Sequence, residues 1–145
     1  MDRGGRQPVN PLEVEKGVAA YLRALNNLPA GTQVHESVTA ANLDFEKQAV
    51  VVEVSDSEHR GPGAFLVNLT VSLRSPSMAV SLSDHSGLFA TLVTAIEAQS
   101  SFRTAFDTAA SGVDFAGSYI TSVPGPDFQD RAWVNTLQVA LGVTV

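Results

Sequence analysis

The chain contains no cysteine. That excludes disulfides, thiolate metal ligands and cysteine nucleophiles, while 145 residues are enough for one domain to fold without such staples. Charge is also scarce, at 17% of residues, which implies a quiet polar surface or surface hidden against other subunits. Basic charge is scarcest: nine Lys and Arg stand against 15 acids, for a net charge of -6. Tight binding to nucleic acid draws on clustered Lys and Arg that displace counterions from phosphates. Here Arg3 and Arg6 fall in a stretch, 1–9, expected to be flexible, and Arg23, Lys47, Arg60, Arg74, Arg103 and Arg131 are scattered. A nucleic-acid reader is therefore disfavoured. No apolar run approaches the ~18 residues of a membrane span, and the basic N-terminus lacks the apolar segment of a signal peptide.

Apolar patterning supplies the positive content, and residues 10–145 are expected to form one α+β domain. Asn10, Pro11 and Glu13 predict a capped helix start, and Val14, Val18, Tyr21, Leu22, Leu25 and Leu28 place one apolar face on a helix running to about Leu28. Val34, Glu36 and Val38 suggest a short edge strand. Gln48, Val50, Val52 and Val54 share one side of a strand over 46–54. Residues 55–63, with Asp56, Glu58, His59, Arg60 and the triplet Gly61, Pro62 and Gly63, are expected to be a long exposed loop. The strand Ala64–Arg74 follows, with Phe65, Val67, Leu69, Val71 and Leu73 on its core side, forming a hairpin with its predecessor.

Ser83 or Asp84 is expected to cap a second helix, with Leu82 and Leu88 as a hydrophobic staple and Leu88, Phe89, Leu92, Val93 and Ile96 as its apolar stripe. A shorter helical piece around 102–110 carries Phe102 and Phe106 and ends at Gly112. Strands are expected at 117–123 and 131–143, separated by the turn-rich 124–127. In the last, Trp133, Asn135, Leu137, Val139, Leu141 and Val143 share one side. The expectation is a two-layer sandwich, a mainly antiparallel four- or five-stranded sheet with two main helices on one face. The other sheet face would meet water or another subunit.

Chemistry is sparse. His35, His59 and His85 do not stand at the spacing that sets two imidazoles on one helical face, and Asp56, Glu58 and His59 read as a solvated cluster. Asp84, His85 and Ser86 are the residue types of acyl transfer, yet neighbours on a helix point about 100° apart and cannot form a convergent relay. A capping Asp84 and a polar first-turn His85 are the simpler account. Gly61 and Gly63 lie between strands, whereas phosphate-binding loops lead into a helix N-terminus. Glu13 and Glu15 open a helix, where acids offset its dipole. No enzyme activity, cofactor or metal is expected.

The order of elements, the helix from Val14 to Leu28, the strand from Phe65 to Leu73, the segment Asp84-His85-Ser86-Gly87-Leu88 and the close from Asp130-Arg131-Ala132-Trp133 to Leu141 resemble bacteriophage tail terminators and the similar tail-completion, or head-tail neck, proteins. The resemblance spans roughly residues 10 to 143. It implies a structural virion protein, assembled in the host cytoplasm. Six copies would close into a ring that ends the tail tube, meets the tube protein on one side and the head connector on the other, and lets DNA pass without specific binding. It also implies candidate subunit or tube contacts at Asp56, Glu58 and Arg60 in the 55–63 loop, and at Arg131 and Trp133. Another neck adaptor, a cellular homo-oligomeric scaffold, a small ligand-binding domain and a small hydrolase are the alternatives.

Overall fold

Asn10 starts the first helix as the spacing predicts. Its side-chain Oδ1 accepts from Leu12 N at 3.0 Å, and Pro11 occupies the first position, where no amide hydrogen is needed. The computed structural model describes residues 9–145. Of the stretch expected to be flexible, 1–9, all but Val9 lies outside the described residues, and Val9 is buried in the core.

Helix α1 spans Pro11–Arg23 and is shorter than its apolar pattern suggests. Asn26 and Asn27 are weak helix formers, and Leu28 is kept from helical angles by Pro29. Leu25 and Leu28 nevertheless pack against the core. Strand β1 (Gln33–Glu36), a short 3-10 turn (Ala40–Asn42), β2 (Ala49–Gly61) and β3 (Ala64–Pro76) follow. After them come α2 (Leu82–Glu97), α3 (Gln99–Ala109), β4 (Asp114–Ser122), β5 (Asp127–Gln129) and β6 (Ala132–Thr144). The architecture is α+β: among the described residues three helices pack against a six-stranded sheet in the order β1-β2-β3-β6-β4, with β5 also on β6. β1 runs parallel to β2 and the other pairings are antiparallel, so the sheet is mixed.

The expected long loop at 55–63 is not a loop. β2 continues through it, paired with β3 out to Gly61↔Ala64, and only Pro62 and Gly63 turn the chain. Gly63 has φ +68, the positive angle a type II turn demands after a proline. The sequence misleads because the residues from Ser55 to Arg60 are exposed, so no alternation marks the strand. A second tight hairpin, just past the turn-rich 124–127, joins β5 to β6 through Asp130 and Arg131, both at positive φ (50 and 62) as a type I′ turn needs. The α2 cap is Ser81, not Ser83 or Asp84: Ser81 Oγ accepts from Asp84 N at 3.1 Å. Leu82 is then the first helical residue and is 41% exposed, so it does not serve as the expected staple.

The core lies between the helices and one sheet face. Val50 and Val52, the β3 series from Phe65 to Leu73, and Leu137, Val139, Leu141 and Val143 are all buried there. Over them sit Val14, Val18 and Leu22 of α1, Leu92 and Ile96 of α2, and Phe102 and Phe106 of α3. α1 and α3 approach closely at Gly17, where an added Cβ would lie 2.5 Å from the Phe106 ring. The Phe102 ring stacks on Tyr21 at 4.6 Å and tilts against Phe115 at 4.8 Å.

Candidate functional site

The opposite sheet face carries short polar side chains in cross-strand rows. Glu53, Thr70 and Gln138 form one row; Val51, Ser72 and Thr136 form the next, with Ser72 and Thr136 hydroxyls 3.1 Å apart. Asn68, Ala140 and the 64% exposed Tyr119 form a third. Asp56 and Glu58 belong to this face, because Asn68 Nδ2 donates to Asp56 Oδ1 at 2.7 Å and to Glu58 Oε2 at 3.3 Å. Arg60 pairs with Glu58 Oε1 at 3.2 Å. His59 points away from them, its ring edge-on to Phe65 at 5.2 Å. The three charged residues expected on a loop tip are therefore held on the rim of a strand.

Arg131 and Trp133 lie at the other end of the sheet. Trp133 is level with Ser75 and Asp56 with Asn68 and thus Ala140, which puts the two groups roughly 23 Å apart at ~3.3 Å per residue. Arg131 acts through its main chain: its carbonyl accepts from Ser77 N and Ser77 Oγ, each at 2.9 Å, while its side chain is exposed. Trp133 is half-buried, 4.9 Å from the Phe128 ring, and its Nε1 donates to Val80 O at 3.3 Å. Met78 (91% exposed) and Phe128 add apolar surface at this end of the sheet, beside the exposed Asp127, Asp130 and Arg131. Arg74 caps the same end, its guanidinium 4.7 Å over the Phe45 ring.

The sheet edges are partly covered by side chains. Beyond the end of β1, Glu15 reaches from α1 to accept from Val54 N at 3.0 Å, with its other oxygen taking Ser37 N at 2.9 Å and Ser37 Oγ at 2.7 Å. Glu15 is buried, not a solvated acid at a helix start. Along β4, Asp107 accepts from Phe115 N at 2.7 Å, and the Gln99 amide bonds both Ser118 N (2.9 Å) and Ser118 O (3.3 Å) as a neighbouring strand would. Unpaired backbone groups at an edge invite pairing with another chain. From Ser55 onward the edge of β2 away from β3 pairs with no strand among the described residues, and carries only two register shifts and its own charges.

No family model matches the chain, and no curated protein matches it either.

A polar relay missed by sequence reasoning crosses the core between α2 and the sheet. His85 is fully buried, not a surface residue of the first turn. Its Nε2 lies 2.6 Å from Asn135 Oδ1 and its Nδ1 2.7 Å from Ser75 Oγ. Asn135 Nδ2 donates to Pro124 O at 2.9 Å, so Asn135 Oδ1 is an acceptor and His85 Nε2 carries the proton. Nδ1 then accepts from the Ser75 hydroxyl, whose oxygen accepts from Gln48 Nε2 at 2.9 Å. Four side chains thus donate in one sense, from Gln48 through Ser75, His85 and Asn135 to the Pro124 carbonyl. Burial pushes the His85 pKa below its ordinary value, against the smaller opposing pull of the Asn135 bond.

Ser75, His85 and Asn135 have the connectivity of a nucleophile, a base and its orienter. Ser75 Oγ, however, is fully buried beneath Gln48. Asp84 and Ser86 stay exposed on either side of His85 and join nothing. Among the described residues no three His, Asp or Glu side chains converge as a metal site. A groove of about 730 Å³ lies between α1 and α3 over Ala20, Ala24, Thr104, Ala105 and Thr108, and Tyr21 is the one ionisable residue in its lining.

Proposed function

We propose that this protein is a ring-forming structural component of a bacteriophage tail or neck, of the tail-terminator or tail-completion kind. The observation that carries the reading is the one-sided sheet: helices cover one face, while the other leaves Val51, Leu66, Val134 and Tyr119 among short polar side chains. The element order supports it, as does the separation of an acidic rim at Asp56 and Glu58 from the apolar side chains of Met78, Phe128 and Trp133 at the other end. Head-to-tail contacts between two different surfaces are what close copies into a ring. In this reading six copies form the ring, one side meets the tube protein and the other the head connector. An acidic chain suits a conduit that must let DNA slide, since clustered cations would hold the phosphates.

Light scattering after size-exclusion chromatography, alone and with a tube protein from the same genome, tests the proposal. A ring alone or on the tube is expected, and deletion of the gene should give tails of uncontrolled length. A chain that stays monomeric and leaves tube length unchanged on deletion refutes it.

A further inference from the structure

From Ser77 to Gly87, through the connector after β3 and the first turns of α2, His85 is the only buried residue. The segment's other ties to the sheet are peripheral: Ser77 to the Arg131 carbonyl, and Trp133 Nε1 to Val80 O. Further along, α2 is anchored by Leu88, Phe89, Leu92, Ala95 and Ile96, which do not titrate. The imidazole is thus the one buried side chain that ties residues 77–87 to the domain, beside three peripheral hydrogen bonds.

We infer that His85 is an acid-sensitive latch, whose protonation releases residues 77–87 from the sheet while the rest of the domain stays folded. The relay has room for one proton on the ring. A second, at Nδ1, would face Ser75 Oγ, displace the Ser75 hydroxyl proton from its acceptor and leave Oγ flanked by two donors, Gln48 Nε2 and the ring. Among the described residues the added charge has no ion-pair partner. Nearest along the elements packed around it are Asp84 on α2, Arg74 on β3, Arg131 before β6, Glu46 and Lys47 before Gln48, and Asp127 after Pro124. None of them bonds the ring; Arg74 is engaged with Phe45 and with the Asp130 carbonyl, and Asp127 with Gln129 and Phe128 N. An unpaired buried charge is costly.

The sign follows. With the folded-state pKa below the ordinary 6.5, the unfolded or released state binds the proton more readily, so the latch is closed above about pH 6.5 and is lost as pH falls through the lowered value. The inference does not depend on ring formation.

Hydrogen exchange of the full chain, corrected for intrinsic rates and followed from about pH 7.5 to 4.5, reads the release by segment. Histidine ring NMR reads protonation of His85 apart from the more exposed His35 and His59. The expected result is at least a tenfold loss of protection confined to 77–87, with the midpoint of the His85 titration and of a Trp133 fluorescence change. In His85→Gln, whose amide does not titrate, that step should vanish; should this variant not fold, the coincidence of midpoints in the unaltered chain decides alone. Loss of protection in β3 and β6 at the same midpoint, titration of His85 with 77–87 still protected, no step in this range, or a step that persists in His85→Gln would each overturn the latch.

Discussion

Gly17→Ala sets two effects of opposite sign against each other. Alanine in a helix interior is favoured over glycine by roughly 0.5–1 kcal/mol, so at an open position the change would stabilise α1. At this position the new Cβ would stand 2.5, 2.7 and 2.9 Å from three atoms of the Phe106 ring. The ring cannot easily give way: Phe106 is fully buried, with Phe102 and Phe115 rings at 6.4 and 6.0 Å. Relief requires the α1–α3 spacing to open, and overpacking of this sort costs about 1–3 kcal/mol. The net expectation is a loss of ~1–2 kcal/mol, or about 3–6 °C in melting temperature for a domain of this size. Urea unfolding followed by circular dichroism would measure it. The double variant Gly17→Ala with Phe106→Leu should show a favourable coupling, because the smaller side chain vacates the clash. A stabilised Gly17→Ala single variant would refute the close approach of α1 and α3.

Three further outcomes are expected. Glu15→Gln retains an acceptor for Ser37 but turns an NH2 group toward Val54 N, and should cost ~1–3 kcal/mol in the same unfolding assay; a change below about 0.5 kcal/mol would mean that Glu15 does not bridge α1 to β2. Tyr21 donates its hydroxyl to Ala95 O at 2.7 Å, and burial raises its pKa above 10.0. Its contribution is thus whole below pH ~10 and lost as pH rises through the raised value. Tyr21→Phe should lower stability by about 0.5–1.5 kcal/mol at neutral pH and remove that share of the alkaline loss, as pH-dependent unfolding would register. The triple variant Asp56→Ala, Glu58→Ala, Arg60→Ala removes exposed side chains and should shift stability by no more than ~0.5 kcal/mol per site; light scattering should show altered assembly, and normal assembly would remove this rim from the interface.

What the sequence disclosed depended on whether a residue's surroundings were set by its own element. β3 alternates from Phe65 to Leu73 because one face meets helices and the other does not, and the period is visible without knowing either neighbour. β2 carries the same signal only as far as Val54, where helical cover ends; past that point strand geometry persists because β3 supplies the hydrogen bonds, and polar residues on both sides hide it. β1 follows a parallel pairing that its four residues could not announce. The turn between β2 and β3 was legible in kind, as the cluster Gly61, Pro62 and Gly63, but not in length, and the Asp130-Arg131 turn carries no Gly or Pro to announce it.

The buried polar groups failed to show for a related reason. Asn135 stands in register with Leu137, Val139 and Leu141 on the core side of β6, and an amide at a core position demands a partner, so the pattern pointed to a buried bond without naming its other end. His85 lies three residues before Leu88 and four before Phe89, on the face that α2 turns to the sheet; that spacing argued for burial as strongly as adjacency argued against a triad with Asp84 and Ser86. Each partner of His85 comes from a separate element, Ser75 at the end of β3 and Asn135 near the start of β6, ten and fifty residues away. Only the register that sets Ser75 beside Trp133 and Leu73 beside Asn135 brings them together. A relay of neutral groups has no charge signature and no motif spacing. It becomes visible when sheet pairing is known, and the same pairing makes its one titratable member the buried hold on residues 77–87.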